Sequence, residues 1–332
     1  MAPTEPADDR QIYDLMVAPL IPQAIQLTLA LGVFEALASG SMDIGSLRKE
    51  LGLGERGAHA LLTVLVAMQM LKRDGERYAL SDLARRYLLP QSPFCLRSQL
   101  GAGASPQAWM LNSLRHDQPR FPERVGAWEQ GEALPDAEAA TGRMHALSFA
   151  PATALAARGA FEGVHRLLDV AGGSGAIAIA AAQHDRALRC TLFELPAVCS
   201  VGDAYLAQHG VQDRVALHPG DMFRDPLPLD HDGVAFSNVL HDWDLEQGGA
   251  LARSAFEALQ PGGRIFIHEM LLSDAHDGPL TVALFSLLML FTTRGRQYTG
   301  AELCALLSEA GFVDARVSPG LGYYSLVSAR RP

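Results

Sequence analysis

The stretch Leu167-Leu168-Asp169-Val170-Ala171-Gly172-Gly173-Ser174-Gly175 constrains this chain more than any other. Four residues of a buried strand run into a turn with three glycines. An alanine-rich segment, Ala176 to Ala182, follows at once and reads as a helix. A turn without side chains, set before a helix N-terminus, lets a ligand approach the backbone closely. Everything before this stretch reads as helical, and everything after it alternates strand and helix.

Strands are predicted at 166–170, 189–194, 214–218, 233–238 and 263–269, with helical patterns between them. That alternation marks a parallel sheet covered on both faces. The segments 311–317 and 322–328 read as a closing pair of strands. In the N-terminal part, Leu15, Val17, Leu20, Ile21, Ile25, Leu27, Leu31, Phe34 and Leu37 recur at helical spacing. They predict a helix over 11–38 that Gly40 stops. A short helix to Leu51 and a very apolar helix over 56–71 follow. Residues 72–80 then read as two strands around an Asp-Gly turn. Helices followed by such a pair make a winged helix. Residues 91–105 and 115–135 read as loops, with helices at 105–114 and 137–159. The expected division is 1–100, a winged-helix domain; 101–160, a helical linker that lines a substrate; and 161–332, the α/β domain.

A winged helix raises the question of DNA, and charge argues against it. Residues 1–100 hold ten Lys/Arg and eleven Asp/Glu, and the would-be recognition helix, 57–70, is apolar on nearly all sides. Such a helix is buried, so an interface or scaffold role is expected instead. The whole chain carries a net charge of -10, which also disfavours nucleic acid. No apolar run reaches the roughly 18–20 residues of a membrane span. The first ten residues are acidic and Pro-rich, unlike a signal peptide. Cys95, Cys190, Cys199 and Cys304 are scattered, which fits reduced thiols in a cytoplasm.

Two ligands fit the glycine turn. Gly173-Ser174-Gly175-Ala176-Ile177-Ala178 satisfies a dinucleotide pattern. Glu194 ends the next strand and could bind a ribose diol, but NAD and S-adenosylmethionine share that diol. The later strands discriminate. The third ends in Gly220-Asp221-Met222-Phe223, where an aspartate beside Met and Phe can bind an adenine amine and sandwich its ring. The fourth ends in Asn238-Val239-Leu240-His241-Asp242-Trp243-Asp244, bringing an imidazole to the edge where open α/β sheets bind ligands. The fifth ends in His268-Glu269, with His268 expected on the opposite side of the strand from Glu269.

The ordered runs LDVAGGSG, FELP, GDMF, NVLHDWD, LQPGGRIFIHE and GRQYTGAEL resemble the caffeic-acid-type, class I S-adenosylmethionine-dependent O-methyltransferases, over nearly the whole chain. The resemblance implies an α/β fold: a doubly wound, mostly parallel, seven-stranded Rossmann-like sheet beside an α-helical winged-helix dimerisation domain. It implies a homodimer, a small aromatic or polyketide-like substrate, and S-adenosylmethionine as methyl donor. Gly173 and Gly175, with Asp169 supporting the turn, would face the methionine part. Glu194 would bind the ribose, with Leu195 beside it, and Gly220, Asp221, Met222 and Phe223 the adenine. Trp243 would wall the pocket, and Ser237 stands where plant relatives often carry lysine. His241 would be the general base, with Glu269, Asp242 and Gln297 around it. Gln297 replaces a carboxylate that is usual in the family. No metal is implied.

Trp109, Met110, Met144, Phe149, Phe285, Leu288 and Met289 are expected to line the substrate pocket with the partner's N-terminal helix, since a methionine-rich apolar surface suits a flat aromatic. Three other readings compete: methylation at carbon, nitrogen or sulfur, an NAD-dependent oxidoreductase, and a winged-helix sensor of a small molecule. Ala171 replaces the first glycine usual in the family's turn and is expected to take an ordinary negative φ.

Overall fold

The computed structural model describes residues 6–100, 106–132 and 136–332. Contacts divide the chain into two units. One holds Gln11–Pro122 and Leu272–Thr299; the other holds Glu123–Leu271 and Gly300–Pro332, with the chain start through Arg10. The division therefore does not follow chain order at 100 and 160. The segment after Leu271 leaves the sheet-bearing unit because its helix, Leu280–Thr292, buries nine of its thirteen residues and packs with N-terminal helices.

The helical unit begins with α1 (Arg10–Val17), α2 (Leu20–Leu31) and α3 (Val33–Ala36). The single helix expected over 11–38 is thus three. Pro19 has no N–H and disfavours helical backbone at Ala18. Gly32, at φ +73, separates α2 from α3. The strand β1 (Met42–Asp43) leads into α4 (Ile44–Leu51), whose cap is the Asp43 carboxylate accepting the Ser46 N–H. The buried helix is α5 (Glu55–Ala67). Its first turn is held from afar: Asp117 accepts the Gly57 N–H at 2.8 Å and the Arg56 N–H at 3.2 Å. The wing is β2 (Leu71–Asp74) and β3 (Arg77–Leu80), with β1 added to β3. Then come α6 (Asp82–Tyr87), which Ser81 caps, and α7 (Ala108–His116). The predicted start of α7 at Ser105 lies outside the described residues.

In the second unit α8 (Pro122–Glu129) occupies part of the expected loop, with Pro at its first position and Glu123 in its first turn. It precedes α9 (Ala137–Ala157), which runs to the start of the sheet. The strands and helices then alternate: β4 (Arg166–Val170), α10 (Ala176–His184), β5 (Arg189–Glu194), α11 (Pro196–Gln208), β6 (Val215–Pro219), β7 (His231–Ser237), α12 (Leu245–Ala258) and β8 (Leu259–Met270). The Leu280–Thr292 helix is α13; α14 (Gly300–Glu309), β9 (Val313–Pro319) and β10 (Tyr324–Arg330) complete the sheet.

The sheet order is β6-β5-β4-β7-β8-β10-β9, parallel through β8 and antiparallel at β10 and β9. The order reverses between β4 and β7. Right-handed crossovers therefore send α10 and α12 to opposite faces and open a crevice beyond the strand ends at that point. The alanines of α10 carry little bulk, so this helix packs closely on the core with Ile177, Ile179, Leu192 and Phe266. Among the described residues no single helix is long and apolar enough to cross a membrane.

Candidate active site

The crevice is built from the ends of five strands. Val170 ends β4, and the chain turns through Ala171 to Gly175. Ala171 has φ +52, which overturns the negative φ expected of it. The reason is local. The Ala171 N–H donates to the Phe193 carbonyl at 2.8 Å, so its backbone is still tied to β5 while the chain reverses. Gly172 cannot be larger, because a Cβ there would stand 2.5 Å from the Asp169 carboxyl carbon. Gly173 and Gly175 also have positive φ, +57 and +77.

Asp169 is fully buried beneath this turn. One carboxyl oxygen accepts the Ala178 N–H at 3.1 Å, and the other has no hydrogen-bond partner. Burial pushes this carboxyl up to about 7, against the Ala178 bond that lowers it. Glu194, at the end of β5, accepts the Gly173 N–H at 3.0 Å and the Leu195 N–H at 2.7 Å. Burial raises its pKa too.

At the end of β6 a Cβ on Gly220 would stand 2.5 Å from the Phe193 ring. The Asp221 carboxylate accepts the Phe223 N–H at 2.9 Å and stands 3.5 Å from the Arg224 guanidinium. Its second oxygen also faces Gly131, where a Cβ would come within 2.5 Å. Phe223 meets Trp243 edge to face, with ring centres 4.7 Å apart, so these two residues share one wall; Met222 is half-buried beside Asp221.

His241 sits in the short turn after β7 and is 5% exposed. Its Nε2 is 3.8 Å from the Asp242 carboxylate. Glu269, fully buried at the end of β8, accepts the main-chain N–H groups of Val239 at 3.1 Å and His241 at 3.2 Å. These bonds hold the backbone that bears the imidazole, while the other Glu269 oxygen has no hydrogen-bond partner. Burial pushes Glu269 up to about 7 and Asp242 to about 8, the latter helped by Glu269. His268 bonds Ser237 Oγ through Nδ1 at 3.1 Å and packs on Tyr324 with ring centres 4.8 Å apart. Ser237 is engaged there.

The remaining residues fall in both units. Met144 is exposed and Phe149 stacks on His145, both on α9. In the helical unit, Met110 and Phe285 are buried, and Leu288 and Met289 are half-buried. Trp109 meets Phe291 edge to face at 5.1 Å and carries the Arg120 guanidinium 4.7 Å above its face. Gln297 is fully buried in that same unit, its N–H 3.3 Å from Ser286 Oγ. Sequence reasoning did not reach His145, whose Nδ1 is hydrogen-bonded to Ser174 Oγ at 2.8 Å. No motif signals it, since the two lie 29 positions apart.

Acceptors and carboxylates dominate this crevice. Asp169 leaves a buried oxygen unused, Glu194 has lone pairs beside the turn, and Asp221 stands at the next strand end. Such a set suits hydroxyls, an exocyclic amine and positive charge better than a dinucleotide's pyrophosphate.

Comparison with known proteins agrees. A family profile described as an O-methyltransferase domain matches residues 125–313, and one described as an O-methyltransferase dimerisation domain matches 13–90. The chain is 35% identical to 3-hydroxy-5-methyl-1-naphthoate 3-O-methyltransferase of Streptomyces sahachiroi, covering 93% of this chain and 92% of that one. It is 30% identical to the tetracenomycin polyketide synthesis 8-O-methyl transferase of Streptomyces glaucescens, covering 97% and 96%. An O-methyltransferase family 2 protein from Planctomyces limnophilus, solved with apigenin, superposes with a TM-score of 0.89 at 29% identity, covering 100% and 98%.

Proposed function

The chain belongs to the O-methyltransferase family, and from that premise we propose that it methylates a hydroxyl of a small aromatic or polyketide-like molecule, with His241 as general base. It is an S-adenosylmethionine-dependent enzyme. The observation that carries the reading is the gathering of Glu194, Asp221, His241 and Glu269 at the C-terminal ends of one sheet, around its reversal point. The relatives named above point to the same acceptor class, since one is named for a hydroxynaphthoate and another for a polyketide.

Gly173, Gly175 and Asp169 would hold the methionine end of the cofactor, Glu194 the ribose hydroxyls with Leu195 beside them, and Gly220, Asp221, Met222 and Phe223 the adenine, against Trp243. When bound, the sulfonium supplies an activated methyl group. This chain's residues then have two tasks. The first is to align the acceptor oxygen with that methyl at about 3 Å, which aromatic and methionine side chains do by shape. The second is to take a proton. A phenol has a pKa near 10, and the neutral imidazole of His241 accepts its proton as the oxygen attacks. Glu269 orients the imidazole through the backbone of its turn. Asp242 stands close to Nε2, and Gln297 is assigned to the same task by resemblance alone. Trp109, Met144, Leu288 and Met289 are candidate acceptor contacts by the chemistry of their side chains.

A homodimer through the N-terminal domain belongs to the same proposal. Its support is the dimerisation profile together with Ile12, Leu15 and Met16, which α1 leaves exposed. Incubation with S-adenosylmethionine and a panel of hydroxynaphthoates and polycyclic phenols, read by mass spectrometry, tests the activity. Calorimetry is expected to show binding of S-adenosylhomocysteine and none of NADH; tight NADH binding would sink the reading.

A further inference from the structure

Helix α9 presents Thr141, His145 and Ser148 at positions i, i+4 and i+7, which share one face of a helix. All three meet the sheet edge. The Thr141 methyl lies 3.9 Å from where a Cβ on Gly173 would be. His145 Nδ1 is bonded to Ser174 Oγ at 2.8 Å. Ser148 Oγ accepts the Asn238 amide N–H at 3.0 Å. Gly173 and Ser174 follow β4 and Asn238 follows β7, so one helix face touches the chain on both sides of the reversal point.

His145 is the most restrained of the three. Its ring stacks on Phe149, with centres 4.9 Å apart, and lies 4.3 Å from Tyr205 on its other neighbour, α11. His209 is 5.5 Å away. Burial, and secondarily His209, lower the His145 pKa, which keeps the ring neutral at pH 7. Ser174 is 3% exposed, so water does not readily replace the imidazole as partner. A buried hydroxyl deprived of its partner loses more than the net value of the bond. The residues flanking Ser174 are glycines in the left-handed region, and a turn of that kind has many conformations to choose from unless a side chain pins it.

We propose that His145 is a positioning residue for S-adenosylmethionine: through Ser174 it sets the glycine turn that receives the cofactor's methionine end. The proposal rests on the cofactor assignment made above. His145 acts on the turn and not on the reacting atoms.

Calorimetric titration with S-adenosylhomocysteine reads the anchor directly. His145→Ala and Ser174→Ala are each expected to weaken binding about three- to tenfold, the scale of one lost buried hydrogen bond. The double variant is expected to be no weaker than the worse single one, because both remove the same bond. His145→Asn, whose amide reaches the place of Nδ1, is expected to recover most of the affinity. Unchanged affinity in His145→Ala overturns the proposal. So do additive losses in the double variant, or no recovery with Asn, since either makes the histidine a packing residue. Wild-type protein that fails to bind S-adenosylhomocysteine is a separate outcome, which removes the cofactor assignment and the proposal together.

Discussion

Glu194 accepts the backbone N–H of Gly173 at 3.0 Å, so the last residue of β5 holds the glycine turn that follows the neighbouring β4. Its other oxygen is bound to its own successor, Leu195. Glu194→Gln replaces one acceptor with a donor that must face a main-chain N–H. S-adenosylhomocysteine affinity is expected to fall about tenfold, as loss of a charge-assisted bond implies. Calorimetry measures it, and an unchanged constant would remove Glu194 from the cofactor site.

Ala171 holds a methyl group at φ +52, where an L-residue costs about 1–2 kcal/mol relative to the right-handed region. Ala171→Gly relieves that strain, though glycine loses more entropy on folding. A net gain of about 0.5–1 kcal/mol is expected in urea unfolding. A loss of stability would mean that the methyl group packs usefully in the turn.

The buried carboxyls make stability depend on pH. Asp169 and Glu269 are raised to about 7 and Asp242 to about 8, from ordinary values near 4. Between those limits the folded state holds protons that the unfolded state has released, so stability falls as pH rises. The benefit is complete below about pH 4 and is lost through about pH 7 to 8. The thermal midpoint at constant ionic strength is therefore expected to drop from pH 5.5 to pH 8.5, and Asp169→Asn to flatten that slope. A midpoint that climbs over this range would contradict the assignment.

Replacing His241 with alanine is expected to leave S-adenosylhomocysteine binding within about twofold and to lower turnover at least tenfold, the low side of what a general base contributes. Unchanged turnover would show that transfer needs no base or uses another.

Gln297→Glu adds a carboxyl where the family resemblance implies one. If this position serves the imidazole, the acid limb of the pH–rate profile is expected to move upward, because a negative neighbour favours imidazolium. A profile that does not move would take Gln297 out of the catalytic group.

The sheet was legible because its strands are short apolar runs closed by turn residues. β4 and β5 lie at their predicted bounds, and β6 is displaced by one residue. β8 starts earlier than expected, at Leu259, because His231 pairs with Leu259 before the register shifts. The N-terminal helix was misread because hydrophobic spacing continues through Pro19 and Gly32 while the backbone does not. α8 was missed for the opposite reason: its polar residues hid a Pro-Glu helix start. In the site, the motifs indicated which residues reach the edge. They could not indicate that Glu269 reaches the main chain of Val239 and His241, or that Asp117 caps α5. Such contacts join distant residues through no repeated pattern. Ala171 was misjudged because its conformation answers to Phe193 on the next strand, not to its own identity.

Pro151 divides α9. Every residue from Pro151 to Ala156 is buried, whereas Thr141 is the one buried residue before it. The proline also withholds one donor from the helix ladder. The two halves should therefore open with different free energies. In hydrogen exchange the amides after Pro151 report the opening of the sheet-bearing core, and those from Arg143 to Phe149 report a local fraying. Because that looser half carries His145 and Ser148, cofactor occupancy should register as slower exchange there.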